Sequence, residues 1–83
     1  MSALTSHLTA AGRWRLARRR DNAVVRWLEH HPDSELHEIA DALHRTRLST
    51  HRRLRRLERQ GRVRSTLMDG PVFSFTVYRA TGR

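Results

Sequence analysis

The chain has 83 residues, a net charge of +9 and no cysteine. That length suffices for one small domain with a single modest core. The absence of cysteine excludes disulfides and thiolate metal sites, and no apolar run approaches the roughly 18 residues of a membrane span. The first residues lack the basic-then-apolar order of a signal peptide, so we expect a cytoplasmic, nucleoid-associated protein that does not interact with membranes.

The charges are arranged in blocks along the chain. Residues 1–20 carry five arginines and no acid, residues 21–44 carry one arginine and six acids, and residues 45–64 carry nine arginines and one acid. A surface that serves solubility alone mixes the two signs. Concentrated positive charge is typical of a site that binds a polyanion. Arginine suits phosphates and guanine edges, although genome base composition would also explain why lysine is absent.

The N-terminal segment permits two interpretations. Five residues are spaced alternately by three and four positions, the spacing of residues on one face of a helix: Trp14, Ala17, Asp21, Val24 and Leu28. The first interpretation is a single helix from about Trp14 to His30 that begins after a break at Gly12. The second is a basic arm over 13–20, followed by a helix that Asp21 caps. We favour the long helix, which would serve equally well for packing or for contact between two copies of the chain.

A second, shorter helix is predicted from about Glu35 to His44. Pro32 ends the preceding helix because it disfavours helical backbone at the residue before it. Ser34 is the expected N-cap. Apolar residues then follow at the helical spacing i, i+3, i+4, i+7: Leu36, Ile39, Ala40 and Leu43.

The most basic segment predicts a third helix, from about Arg47 to Gln60. Thr46 is its expected N-cap, with Ser49 as the competing position, and Gly61 follows its end. The inner face consists of Thr50, Leu54 and Leu57. Six residues point roughly the other way: Leu48, His51, Arg52, Arg55, Arg56 and Arg59. Because like charges repel along a helix, such a face is costly unless an anion lies across it.

Beyond Gly61 the apolar residues alternate with polar ones, which predicts a β-hairpin with strands at about 62–68 and 72–79. The sequence Asp69-Gly70-Pro71 between them is a turn signal. We expect the strand face that carries Phe73, Phe75 and Val77 to close over the helices.

Residues 36–63 contain two motifs. I-A-x-x-L stands at Ile39, Ala40 and Leu43. L-x-x-L-E-x-x-G-x-V stands at Leu54, Leu57, Glu58, Gly61 and Val63. Together they resemble the helix-turn-helix of bacterial and phage winged-helix regulators, and V-Y-R-A-T at 77–81 resembles the second wing strand of PadR-type and MarR-type repressors. The sequence departs from that family at Arg45 and Thr50, where apolar residues are usual.

The resemblance implies an α+β fold: a winged helix-turn-helix with a three-helix core, a C-terminal two-stranded β-hairpin wing and an N-terminal helical extension. The expected organisation is a basic, partly helical extension over 1–20, the winged domain over 21–81 and a tail at 82–83. The implied function is sequence-specific transcriptional regulation, as a repressor that inserts helix 47–60 in the major groove of double-stranded DNA. No cofactor or small-molecule ligand is expected, and a homodimer would form through the N-terminal helix.

The resemblance also implies which residues contact DNA. The start of the third helix, next to its cap Thr46, would place four residues at the bases: Arg47, Ser49, His51 and Arg52. Leu48 would meet a thymine methyl group or pack under the preceding helix. Phosphates would be met further along the helix, by Arg55, Arg56 and Arg59. Arg62 and Arg64 could reach a neighbouring backbone or the minor groove, whereas the acidic tip at Asp69 should not. The run of Arg18, Arg19 and Arg20 is either an additional contact or a solvated basic face.

Other functions have weaker support. Four histidines are spaced seven residues apart: His30, His37, His44 and His51. Their spacing crosses a proline and two helix boundaries, so no metal site is expected. No nucleophile motif or phosphate loop is present, so we do not expect an enzyme. Two alternatives stay open. One is an architectural DNA-binding protein in the excision or partition of a mobile element, and the other is a winged-helix module that binds protein or RNA.

Overall fold

The computed structural model describes residues 10–82, so residues 1–9 of the predicted extension and Arg83 of the predicted tail lie outside the described residues. The elements follow in this order: α1 (Ala10–His30), β1 (Ser34–Glu35), α2 (Leu36–Ala42), α3 (Arg47–Arg59), β2 (Val63–Asp69) and β3 (Ser74–Ala80). The three strands form an antiparallel sheet in the order β1-β3-β2. The predicted α+β winged helix-turn-helix is confirmed, with β1 as one strand more than the sequence predicted.

The single long N-terminal helix is confirmed, and it begins earlier than predicted. α1 runs through Gly12 without a break, because one glycine costs a helix only about 1 kcal/mol. Val24 and Leu28 on its inner side are buried, whereas Trp14 is 61% exposed. The first turns of α1 therefore project beyond the core that its later turns help to build.

The start of α2 differs from the prediction. Ser34 belongs to β1, where it pairs with Tyr78, and its hydroxyl donates to the carbonyl of His31 at 2.6 Å. Glu35 is the N-cap instead, and its backbone N–H donates to Oε1 of Glu38 at 2.7 Å in a reciprocal capping box. Ser34 was the wrong cap because the helix begins one residue later than predicted, and the Ser34 hydroxyl bonds back to His31 instead.

α3 begins where the sequence predicted. The Thr46 hydroxyl accepts a hydrogen bond from the backbone N–H of Ser49 at 3.1 Å, which rules out Ser49 as the cap. Thr50 is buried, and its hydroxyl donates to the Thr46 carbonyl at 2.8 Å. This bond explains how a polar residue occupies a core position, because a buried hydroxyl is costly only without a partner. Gly61 follows the helix with a φ of 75°, a left-handed conformation that glycine adopts readily.

One apolar core joins the helices to the base of the wing. It contains residues from α1, α2, α3, β2 and β3: Val24, Val25, Leu28, Ile39, Leu54, Leu57, Val63 and Tyr78. The predicted inner face of α3 is confirmed, since its two leucines are fully buried. The core fixes α3 by one side and leaves its opposite side free.

The wing packs differently from the prediction. Tyr78 and Ala80 of β3 contact the core, and they lie on the strand face opposite to Phe75 and Val77. Val77 is buried, but Phe73 is 70% exposed, so the predicted closure of that face over the helices was wrong. The hairpin extends past the helices, and its outer part carries a group of exposed apolar side chains: Leu67, Met68, Val72 and Phe73.

Candidate nucleic-acid interface

The outer side of α3 carries one continuous exposed stripe, defined by Leu48, Arg52, Arg55 and Arg59. These residues are spaced by three and four, so they lie one above another on the helix. Leu48 is 59% exposed, so it does not pack under α2. The α3 stripe thus presents three guanidinium groups and one apolar side chain to the solvent.

The first turn of α3 adds three exposed residues to one end of the stripe: Thr46, Arg47 and Ser49. The positive end of the helix dipole lies here, together with backbone N–H groups that favour anions. Arg47 also borders a hollow beside Thr76 and Tyr78 of the wing. This end of α3 can therefore meet an anionic surface with both side chains and backbone.

Two arginines of α3 turn towards α1 instead. Arg53 Nη1 and Arg56 Nη2 donate to Oδ1 of Asp21 at 2.5 and 2.7 Å. The Asp21 side chain is only 10% exposed, while those of Arg53 and Arg56 are 15% and 40% exposed. Arg56, which was expected beside Arg55 and Arg59, is separated from them by this ion pair. The position of Asp21 on the inner side of α1 was the signal in the sequence that could have indicated it.

The two arginines at the base of the wing, Arg62 and Arg64, also differ in their contacts. Arg62 is half-buried, and its Nη2 donates to Oδ1 of Asn22 in α1 at 2.8 Å. Arg64 is exposed and lies directly across the sheet from Arg79. Like charges in that position repel, but Asp33 accepts from Arg79 at 2.7 Å, and this hydrogen bond raises the pKa of Arg79. Arg64 is therefore the more available of the two predicted wing contacts.

A polar hollow connects α3 to the wing, and its lining includes His51, Arg55, Arg59 and Thr76. Glu58 accepts a hydrogen bond from the Ser65 hydroxyl at 2.6 Å across this hollow. Burial raises the pKa of the Tyr78 phenol, Glu58 raises it further, and Arg55 acts in the opposite direction. These contacts hold the α3 stripe and the wing in one fixed relation.

The run of arginines at 18–20 does not form a single surface. The Arg18 guanidinium lies over the Trp14 ring, with Cζ 5.2 Å from its centroid. Arg19 is exposed, whereas Arg20 turns inward, and its Nε is buried without a hydrogen-bond partner among residues 10–82. Of the three, Arg18 and Arg19 are the ones that solvent reaches most easily.

Two adjacent histidines, His30 and His31, make local contacts. His30 Nδ1 lies 2.9 Å from the carbonyl of Arg26, and the ring of His31 stacks on Trp27 at 4.2 Å. Within the described part of the chain, no three side chains of histidine, cysteine, aspartate or glutamate come together to hold a metal ion. No helix over residues 10–82 is both long enough and apolar enough to cross a membrane.

A sequence model described as the IclR helix-turn-helix domain matches residues 22–66, from the middle of α1 to the middle of β2. No match was found among curated proteins or among solved structures. The predicted class, a helix-turn-helix regulator, is confirmed. Its type is IclR, and the PadR-type or MarR-type resemblance of the wing strand stays a prediction.

Proposed function

The chain belongs to the IclR helix-turn-helix family and is a DNA-binding transcription regulator; from this premise we propose that it inserts α3 in the major groove and recognises a specific sequence. The observation that supports this most is the α3 stripe. Its three arginines are exposed and have no ion-pair partner among the described residues. Three such groups on one helix face repel one another, and the phosphates and base edges of DNA would compensate them.

The residues of this surface divide by position. Four residues in the N-terminal half of α3 would reach base edges: Arg47, Ser49, His51 and Arg52. Arg52 would be the main reader, because its guanidinium fork fits guanine O6 and N7. Leu48 would face a thymine methyl group. Arg55, Arg59 and Arg64 would contact phosphates and set the register of the protein on the duplex.

Arg56 and Arg62 receive a different role in this proposal. Both bond to side chains of α1, namely Asp21 and Asn22. They would position α3 relative to α1, and their contribution to phosphate binding would be smaller than that of Arg59.

Two further proposals concern the effect on transcription and the oligomeric state. We propose repression, because a protein bound at a promoter excludes the polymerase from the overlapping DNA. A homodimer would place two α3 helices on successive half-sites about 34 Å apart. No catalytic role is proposed.

Selection of bound sequences from a random DNA pool tests the proposal. We expect enrichment of one short sequence, and a palindrome would reveal the homodimer. Equal binding to selected and random duplexes would contradict sequence-specific regulation and favour an architectural role. A preference for RNA over duplex DNA would overturn the assignment of α3 to the major groove.

A further inference from the structure

The solvent side of α1 carries a second set of arginines, far along the chain from the α3 stripe. We call it the α1 face; it consists of Arg15, Arg18, Arg19 and Arg26, with Asn22 among them. These positions are spaced by three, four, seven and eleven residues from Arg15, so they lie on one side of the helix. All five side chains are exposed and border one shallow hollow beside Trp14. Glu29, one turn beyond Arg26, is the next charged residue on that side.

The charge of the α1 face is not compensated by the fold. Arg15, Arg19 and Arg26 form no side-chain hydrogen bond or ion pair with any residue in the range 10–82. Glu29 lies one turn beyond Arg26 without an ion pair to it, and Asp21, the other acidic residue of α1, lies on the inner side and is occupied by Arg53 and Arg56. Arg15 and Arg19 are four residues apart, where like charges destabilise a helix. An anionic partner would relieve this repulsion.

The contact between Arg18 and Trp14 orients one arginine of the α1 face. The guanidinium over the indole ring is oriented by a cation–π interaction, with Cζ 5.2 Å from the ring centroid. The contact therefore holds one guanidinium of the α1 face at the surface, where it can meet a phosphate.

The α1 face and the α3 stripe point away from the same core. Val24 and Leu28 bury the inner side of α1, and Leu54 and Leu57 bury the inner side of α3, all in one cluster. The two arginine surfaces lie on the outer sides of these helices. A duplex seated on the α3 stripe would therefore contact a different helix from the one that carries the α1 face.

We propose that the α1 face binds the phosphate backbone of a second DNA duplex, so that one chain bridges two DNA segments. The inference rests on the proposed function, because it assumes that the α3 stripe holds the first duplex. The second contact is independent of sequence, since the α1 face would reach phosphates and not base edges.

Capture of a labelled duplex by bead-bound duplex tests this proposal, with the full chain added at increasing concentration. A shift assay on a single duplex runs in parallel. The test variant is Arg15→Gln/Arg19→Gln/Arg26→Gln, which removes charge from the α1 face but keeps residues that favour helix. The matched control is Arg15→Lys/Arg19→Lys/Arg26→Lys, which keeps the charge. Circular dichroism establishes that both variants fold.

We expect the unchanged chain and the lysine variant to capture the second duplex. The glutamine variant should lose capture about tenfold or more at 100–150 mM salt, since it removes up to three phosphate contacts, while its shift on one duplex stays within about threefold of the unchanged chain. Full capture by the glutamine variant would overturn the proposal and assign bridging to a homodimer. A single-stranded competitor that displaces the captured duplex more effectively than a duplex competitor would also overturn it.

The assays separate this proposal from the function it rests on. A chain that shifts one duplex but captures no second one leaves the regulator assignment intact and refutes the bridging role. A chain that shifts no duplex at all refutes the proposed α3 contact, and capture through the α1 face is then refuted with it.

Discussion

Oδ1 of Asp21 in α1 lies 2.7 Å from Nη2 of Arg56 in α3. The same oxygen accepts a second hydrogen bond, from Nη1 of Arg53. One carboxylate thus joins the two helices whose outer sides carry the arginine surfaces. Because the side chains of Asp21 and Arg53 are mostly buried, the ion pair between them is partly shielded from water, unlike the exposed pair of Asp33 and Arg79.

Asp21→Ala should destabilise the fold by about 2–4 kcal/mol, because it leaves two partly buried guanidinium groups without their partner. Urea unfolding followed by circular dichroism measures this loss. Asp33→Asn is the control, since it breaks the exposed ion pair with Arg79 but keeps a residue that tolerates the left-handed backbone at this position, where φ is 62°. Its urea midpoint should shift much less than that of Asp21→Ala. Equal shifts of the midpoint in the two variants would show that the Asp21 contact has no special weight.

Arg52→Ala should cost roughly 1–3 kcal/mol of binding and relax the preference at one base position. The reason is that a single forked contact to guanine is lost while the backbone contacts remain. Affinities for duplexes with single base substitutions measure the effect. An equal loss on every duplex would reject Arg52 as a reader of bases and leave it a phosphate contact.

Arg59→Ala should weaken binding to all duplexes alike and reduce the slope of log K against log salt by about one unit. Arg56→Gln is the comparison, since Arg56 is one turn away but bonded to Asp21. Its slope should stay close to that of the unchanged chain. A drop of one unit in the Arg56 variant, with none in the Arg59 variant, would reverse the roles given to these two residues.

Tyr78 is the single tyrosine of the chain, so absorbance near 295 nm reports its titration alone. The pKa should lie above the ordinary value of 10.0, chiefly because the phenol is buried. Glu58→Gln should lower that pKa and Arg55→Gln should raise it, because the carboxylate opposes the phenolate and the guanidinium favours it. Opposite shifts in the two variants would contradict the geometry of the hollow between α3 and the wing.

The raised pKa of Tyr78 has a consequence for stability. The neutral phenol stabilises the folded state fully below the unfolded pKa near 10.0. This contribution is lost as the pH rises through the higher pKa of the folded protein. The free energy of unfolding should therefore fall above pH 10, and a Tyr78→Phe variant should show a smaller fall.

Much of this arrangement could be predicted from local pattern. The period of the apolar residues and the cap at Thr46 gave α3 its correct start, and alternation gave the hairpin within two residues. The contacts that depend on how elements meet could not be predicted. The strand β1 is only two residues long, too short for any period, and the pairing that makes it a strand comes from β3.

The site was predictable to a similar degree. Helical spacing indicated the outward direction of Arg52, Arg55 and Arg59, and these residues are exposed. It also placed Arg56 with them, because a helical wheel contains no information about the neighbouring helix that brings Asp21 to it. Phe73 was expected to pack, but it lies where the hairpin extends past the core, and the length of such a projection is not encoded in periodicity.

The most direct test of the α3 stripe is a comparison of two triple variants in one binding titration. Arg52→Gln/Arg55→Gln/Arg59→Gln and Arg15→Gln/Arg19→Gln/Arg26→Gln remove the same charge from different helices. On a single selected duplex, we expect the first variant to lose about a hundredfold or more in affinity, from three contacts of 1 kcal/mol or more each. The second should stay within about threefold. Equal losses in both variants would contradict the account, because net charge alone would then explain DNA binding.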